Sequence, residues 1–156
     1  MISMILKTNL LIKVIHNSRS LLLVLLFSMS NHLLAEIRVI DADSIALNEE
    51  KVRLFGIDAP ETSQLCLNER DESYSCGKKA TQELIQLIDG TNTKSVKCKY
   101  SGSDKYGRFI GNCWVDGIYI NAWLVKNGWA MAYRYYSKRY VPNEMQAKEN
   151  KYGIWR

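Results

Sequence analysis

Five side chains between residues 41 and 61, in the run DADSIALNEEKVRLFGIDAPE, could do chemistry together: Asp41, Asp43, Asp58, Glu61 and Arg53. Ile45 and Leu47 alternate with polar neighbours, Asn48-Glu49-Glu50 makes a polar break, and Val52, Leu54 and Ile57 form a second apolar run. That pattern predicts strand, turn, strand, loop. Such a hairpin brings Asp43, near its start, and Asp58, just past its second strand, toward a common point. Two carboxylates with a backbone carbonyl and waters suit a hard cation such as Ca²⁺. Glu61, three residues past Asp58, can reach a water held beside the cation. Arg53 can clamp an anion with two parallel hydrogen bonds. The same acids also serve turns, which Asp and Asn stabilise through their own side chains; residue types alone leave both readings open.

A second constellation is Asp104-Lys105-Tyr106-Gly107-Arg108. Lys is a point charge, Arg a planar fork, and Gly permits close approach, so a turn of this kind feeding a strand suits a phosphate group. The alternative is a solvated charged turn.

The elements that must position these groups follow from the rest of the chain. A helix is predicted from Ser75, with Ala80, Leu84, Leu87 and Ile88 on one face and Gly90 as its stop. Strands are predicted over 96–100 and 108–115, and Asp116-Gly117 is a hairpin signal leading into 118–120. Asn121 is placed as the cap of a short helix through Leu124 and Val125 that stops at Gly128. An apolar, aromatic run covers 129–133. Pro142 suits the first turn of a last helix through Met145, Ala147 and Lys148, ending near Gly153. The layout is about five short strands with three helices, a mainly β chain of α+β type. Trp114, Trp123, Trp129 and Trp155 are assigned to the core, because aromatics carry much of the burial. Lys138 and Arg139 are read as a solvated loop.

Length and composition limit the possibilities. A chain of 156 residues with 47% hydrophobic and 24% charged residues fits one ordinary globular domain. The first 35 residues carry Lys7, Lys13 and Arg19 but no acid, then an apolar run over 21–27, then small and polar residues up to Ala35. They read as a signal peptide with a basic leader over 1–35, followed by a domain over 36–156. The expected location is secreted or periplasmic, with an uncleaved membrane anchor as the alternative. The full chain has 21 basic and 16 acidic residues, net +5; setting aside the three leader charges leaves 18 against 16, net +2. Any phosphate binding must therefore come from a local cluster rather than from net charge. Both histidines, His16 and His32, fall in the leader, so the predicted domain excludes a Ser-His-Asp triad, a His base and His-ligated zinc. Four cysteines, Cys66, Cys76, Cys98 and Cys113, allow three pairings. Cys66 and Cys76 flank a polar loop, and Cys98 and Cys113 sit on runs flanking the turn at 104–107, which favours 66–76 and 98–113. A four-cysteine zinc site is the alternative, but no C-x-x-C pair is present.

Taken together, the motifs resemble the staphylococcal nuclease (thermonuclease) family. IDADS is similar to its metal-binding turn, RLFGIDAPE matches its Arg, Asp and Glu spacing, and DKYGR matches its substrate-binding turn. NAWLVKNGWAMAYRYY resembles its helix and paired tyrosines, and EMQAKENKYGIW its closing helix and Ile-Trp. The resemblance implies a five-stranded OB-fold barrel with three helices, acting as a Ca²⁺-dependent hydrolase of DNA and RNA that leaves 3′-phosphates. Mg²⁺ and Mn²⁺ remain open. It implies that Asp43, Asp58 and the Ala59 carbonyl ligate the metal, with Asp41 supporting them from behind. Glu61 positions or deprotonates water. Arg53 and Arg108 bind the scissile phosphate, and Lys105 and Tyr106 the neighbouring one. Tyr133 and Tyr135 line the nucleotide pocket. Such contacts read phosphate and ring faces, so specificity is expected to be weak and single strands preferred. A monomer with no protein partner is expected.

Three residues depart from the best-known members: Ala42 stands where they carry Gly, Ser44 where they carry Thr, and Ala59 where they carry Thr. Ala42 matters only if that position has positive φ. The connection from Tyr100 to Asp104 is short, which would open one side of the groove. Two other readings compete: an OB-fold module that binds single strands without cutting, and an interaction domain stapled by disulfides. Retention of Asp43, Asp58, Glu61, Arg53 and Arg108 argues against the first.

Overall fold

The structure, a computed structural model, describes residues 36–156. The predicted signal segment lies outside the described residues.

The framework is one curled, mixed sheet. It takes β1 (Ile37–Asp41), β2 (Ser44–Leu47), β3 (Glu50–Leu54), β7 (Val96–Ser103) and β8 (Phe109–Val115), hydrogen-bonded in the order β1-β2-β3-β8-β7. These five strands are the expected OB arrangement, a partly open Greek-key barrel. Every pairing is antiparallel except β3–β8, which is parallel with Arg53 opposite Ile110. A short β9 (Ile118–Tyr119) pairs with β8. Between β3 and β7 run β4 (Ile57–Asp58), a small β5–β6 hairpin (Cys66–Leu67 with Ser73–Tyr74) and helix α1 (Cys76–Asp89); α2 (Ile120–Lys126), β10 (Met131–Ala132) and α3 (Val141–Glu149) follow β9.

Two hairpins turn where the sequence says they must. Asn48, with φ of 55°, links β2 to β3; Asp116 and Gly117, at 44° and 81°, link β8 to β9. Asn, Asp and Gly tolerate this left-handed backbone better than other residues. The inner side chains Ile45, Val52, Leu54, Ile57 and Val115 meet Leu84 of α1 and Leu124 and Val125 of α2 in one core. Of the four tryptophans only Trp129 is fully buried; Trp114, Trp123 and Trp155 are half-buried.

Both favoured disulfides are present, Cys66–Cys76 and Cys98–Cys113. Cys98 and Cys113 face each other directly across β7 and β8.

Three local expectations differ from the structure. The connection after Tyr100 is not a loop: β7 continues through Ser103 past an irregularity between Tyr100 and Gly102. The last helix ends at Glu149 rather than near Gly153. Asn121 does not cap α2, which starts one residue earlier; its side chain is fully buried. Its Oδ1 accepts the Cys113 N–H at 3.0 Å, and its Nδ2 donates to Phe55 O at 3.1 Å and Gly111 O at 3.2 Å. Asn121 thus ties β8 to the turn between β3 and β4.

Candidate active site

Asp43 sits with Ala42 in the tight turn between β1 and β2. Its backbone N–H donates to Asp41 Oδ1 at 3.1 Å, and its carbonyl accepts the Leu54 N–H at 2.7 Å. Ala42 has no positive φ and is completely buried, so the turn accepts alanine without backbone strain. The Asp43 carboxylate is enclosed, with 1% of the residue exposed. Its Oδ1 accepts Arg53 Nη1 at 2.5 Å and the Ser44 hydroxyl at 2.9 Å, while Oδ2 accepts the Ala59 N–H at 2.9 Å. Ser44 therefore supplies the hydroxyl that Thr carries elsewhere.

Arg53 is on the strand facing β2, opposite Ser44. Its second nitrogen, Nη2, donates to Asp58 Oδ1 at 2.7 Å. One guanidinium thus bridges the two carboxylates that the hairpin was expected to gather, and the Glu49 or Glu50 pairing open to a β3 arginine is not made. Asp58 is held in turn by β4–β10, where it lies opposite Met131, and the Tyr133 N–H donates to Gly56 O at 2.9 Å. That short ladder docks the tyrosine segment beside the acids.

Burial pushes the Asp43 carboxyl up to about 7, against the pull of Arg53 and the Ala59 N–H. Burial also works against the Arg53 charge, but Asp43 and Asp58 outweigh it and hold the guanidinium above its ordinary value. Three carboxylates, Asp41, Asp43 and Asp58, stand against one guanidinium. A desolvated acid in a surplus of negative charge is relieved by a cation, and the oxygen donors suit a hard one. Among the described residues no three His, Cys, Asp or Glu side chains converge as a ligand cluster. Asp43 and Asp58 are the two carboxylates that Arg53 brings together.

Glu61 is exposed on the loop after β4. Its N–H donates to Gln64 Oε1 at 3.3 Å and its carbonyl accepts the Gln64 N–H at 2.7 Å.

The second turn is built around Asp104, to which sequence reasoning assigned no role. Its Oδ1 accepts the N–H groups of Tyr106 at 2.9 Å and Arg108 at 3.0 Å, and its Oδ2 accepts Arg108 Nε at 2.8 Å. Burial opposes its charge, but these donors hold its carboxyl below the usual range. Gly107 closes the turn at φ of 78°. Lys105 Nζ lies 5.0 Å and Arg108 Cζ 5.7 Å from the centre of the Tyr106 ring, which is 72% exposed. The parallel β3–β8 register puts Arg108 two residues before Ile110, the partner of Arg53. Both arginines thus belong to one neighbourhood of the sheet, although Arg108 is turned toward Asp104.

Tyr133 and Tyr135 are both exposed, and Tyr136, not singled out from sequence, packs edge-on against each at 4.9 and 5.0 Å.

A family model described as staphylococcal nuclease homologue matches residues 51–156. The chain belongs to the staphylococcal nuclease homologue family. Over 126 residues it is 37% identical to the succinoglycan biosynthesis protein ExoI of Rhizobium meliloti, covering 80% of this chain and 65% of that one. It is 31% identical to an uncharacterized endonuclease of Escherichia coli, covering 76% and 74%. The probable staphylococcal-like nuclease CAN1 of Oryza sativa subsp. japonica is 30% identical over 115 residues, covering 72% of this chain but 31% of its own length. The chain thus spans less than two thirds of the rhizobial and rice relatives.

Within this family member, one further residue went unread in the sequence. Glu144 of α3 is 1% exposed, and its carboxylate accepts the Ala132 N–H at 3.2 Å and Arg134 Nη2 at 2.5 Å. It anchors the strand that pairs with Asp58. Its only sequence signal was an acid on the buried side of a predicted helix, beside Ala147.

Proposed function

We propose that this protein is a metal-dependent nuclease that hydrolyses phosphodiester bonds of DNA and RNA. One observation carries the reading: Arg53 joins the buried Asp43 and the half-exposed Asp58, from separate elements, into one acid-rich cluster at the root of the Glu61 loop. The names of the bacterial and plant relatives support it. Asp43, Asp58 and the Ala59 carbonyl would hold Ca²⁺, with Asp41 fixing the turn from behind; Mg²⁺ and Mn²⁺ use the same oxygen donors. When bound, a divalent ion polarises a phosphoryl oxygen and lowers the pKa of nearby water.

The chain's own groups supply the rest. Glu61 takes a proton from the attacking water. The water oxygen bonds to phosphorus, the P–O5′ bond breaks, the departing O5′ takes a proton from solvent water while Glu61 returns its own to solvent, and the phosphate stays on the 3′ side. Arg53 and Arg108 meet the charge that grows on the phosphoryl oxygens with fixed donors. Lys105 and Tyr106 hold the neighbouring phosphate. Tyr133 and Tyr135 offer ring faces to unstacked bases, which favours single strands. Two disulfides support an oxidising location, secreted or periplasmic, and a monomer suffices for this chemistry. Cell fractionation that found the cysteines reduced in the cytoplasm would sink the export reading.

The direct test incubates the purified protein with single-stranded DNA in calcium and in excess chelator, and analyses the ends. Calcium-dependent fragments with 3′-phosphates are expected. Strand binding without cleavage in either condition would replace this reading with the non-catalytic OB-fold module.

A further inference from the structure

Glu61 is placed by its backbone alone. Among the described residues its carboxylate makes no hydrogen bond or ion pair, so nothing but the loop fixes where the acid points. That loop is held from three sides. The Glu61–Gln64 pairs clasp it upon itself. Thr62 Oγ1 lies 3.1 Å from the Ile40 carbonyl, on the strand that leads into Asp41 and Asp43, and 3.1 Å from Thr81 Oγ1 of α1. The third side is the start of α1. The Gly77 N–H donates to Gln64 O at 3.2 Å, and the helix comes so close that a Cβ on Gly77 would lie 1.6 Å from Glu61 O and 2.6 Å from its carbonyl carbon. Gly77 has no positive φ, so the glycine is required for approach and not for backbone conformation. Next to it, Cys76 is bonded to Cys66, which closes the far end of the same loop.

We propose that Gly77 and the Cys66–Cys76 disulfide are positioning elements for Glu61: they seat the loop backbone on α1 and so set the distance of the carboxylate from the Asp43–Asp58 cluster. This rests on the reading of Glu61 as the base. A side chain at Gly77 must displace the Glu61 peptide itself, since backbone atoms and not a flexible side chain fill the space. Loss of the disulfide releases Cys66, at the far end of the loop, from the helix without adding bulk.

The test is a set of kinetic double-mutant cycles on the full chain in calcium. Gly77→Ala, Thr62→Val and the Cys66→Ala/Cys76→Ala pair are each made with Glu61 and with Glu61→Gln. Thermal midpoints confirm that each variant is folded at the assay temperature. With Glu61 present, displacement of the acid by about 1 Å in Gly77→Ala should lower kcat about 10²-fold, with KM changed less than about threefold. The disulfide pair and Thr62→Val should lower kcat about tenfold. With Glu61→Gln already in place none of them should lower kcat further, because they act through the same group. If Gly77→Ala does not fold, the other two variants decide the matter by the same criterion. Equal losses in both backgrounds, or full kcat in the variants that fold, overturn the positioning role and leave the nuclease reading intact. A Glu61→Gln protein as fast as wild type removes Glu61 as the base and the positioning role with it, whereas a wild-type protein that cuts nothing overturns the nuclease reading itself.

Discussion

Replacing Glu144 with Gln would test how the structure holds the strand beside the acids. The carboxylate is enclosed, yet it accepts the Ala132 N–H at 3.2 Å, Arg134 Nη1 at 3.4 Å and Nη2 at 2.5 Å, and Lys148 Nζ at 3.4 Å. Gln keeps the volume and the Ala132 bond but loses the charge that both cations face. Hydrogen bonds to a charged group contribute about 1.5–3 kcal/mol, against roughly 1 for a neutral pair. Arg134 and Lys148 are about half exposed, so solvent screens much of this. The net loss for Glu144→Gln is about 2 kcal/mol, a drop of about 8 °C in Tm for a domain of this size. The sign with pH is definite. Burial works to raise the Glu144 pKa, but Arg134, the Ala132 N–H and Lys148 hold it below its ordinary value. Its contribution is therefore full above the unfolded carboxyl value, about 4.3, and is lost as pH falls through the lower folded value. Denaturant unfolding of wild type and Glu144→Gln from pH 7 down to about pH 3 should show a gap that is widest at pH 7 and closes in acid. Equal stabilities at pH 7, or a gap that does not change with pH, would show that the Glu144 charge does not hold this strand.

Asn121→Ala should destabilise the fold by about 3 kcal/mol in equilibrium unfolding, because it orphans the buried Cys113 N–H and the Phe55 carbonyl. A loss under about 0.5 kcal/mol would show that water replaces the amide. Removing Cys98–Cys113, which closes a separation of 15 residues, by a double change to Ala should cost about 3 kcal/mol in the same assay. Asp104→Asn should lower kcat/KM for single-stranded DNA, because it loosens both Arg108 and the Tyr106 turn; an unchanged kcat/KM would remove Asp104 from any part in the site.

The hairpin that gathers Asp43 and Asp58 was legible because strand periodicity and the Asn48 turn are local signals, and local signals fix which ends meet. The disulfide pairs were legible for the same reason, since each spans one turn or one loop. Asn121 was misread because an amide ahead of a helical run looks like a cap; only the packing of α2 over β8 reveals that its partners are Phe55 and Gly111, far away in sequence. Asp104 was overlooked because its work is to hold its own turn and Arg108, which spacing does not display. Glu144 could not be read, since a buried acid and a solvated one look alike until Arg134 and the Ala132 N–H arrive from another element. The pairing of Arg53 with both acids was likewise a matter of tertiary register, in which two separate elements converge on one guanidinium.

If the Asp43–Arg53–Asp58 cluster and Glu61 form a hydrolytic site, the decisive quantity is the rate of single-stranded DNA cleavage at saturating calcium for wild type and Glu61→Gln, with strand affinity measured alongside. Glu61→Gln should lower kcat about 10³-fold with affinity nearly unchanged, the scale expected for removing a general base. Equal cleavage rates, or a loss of strand affinity that accounts for the whole effect, would contradict that site.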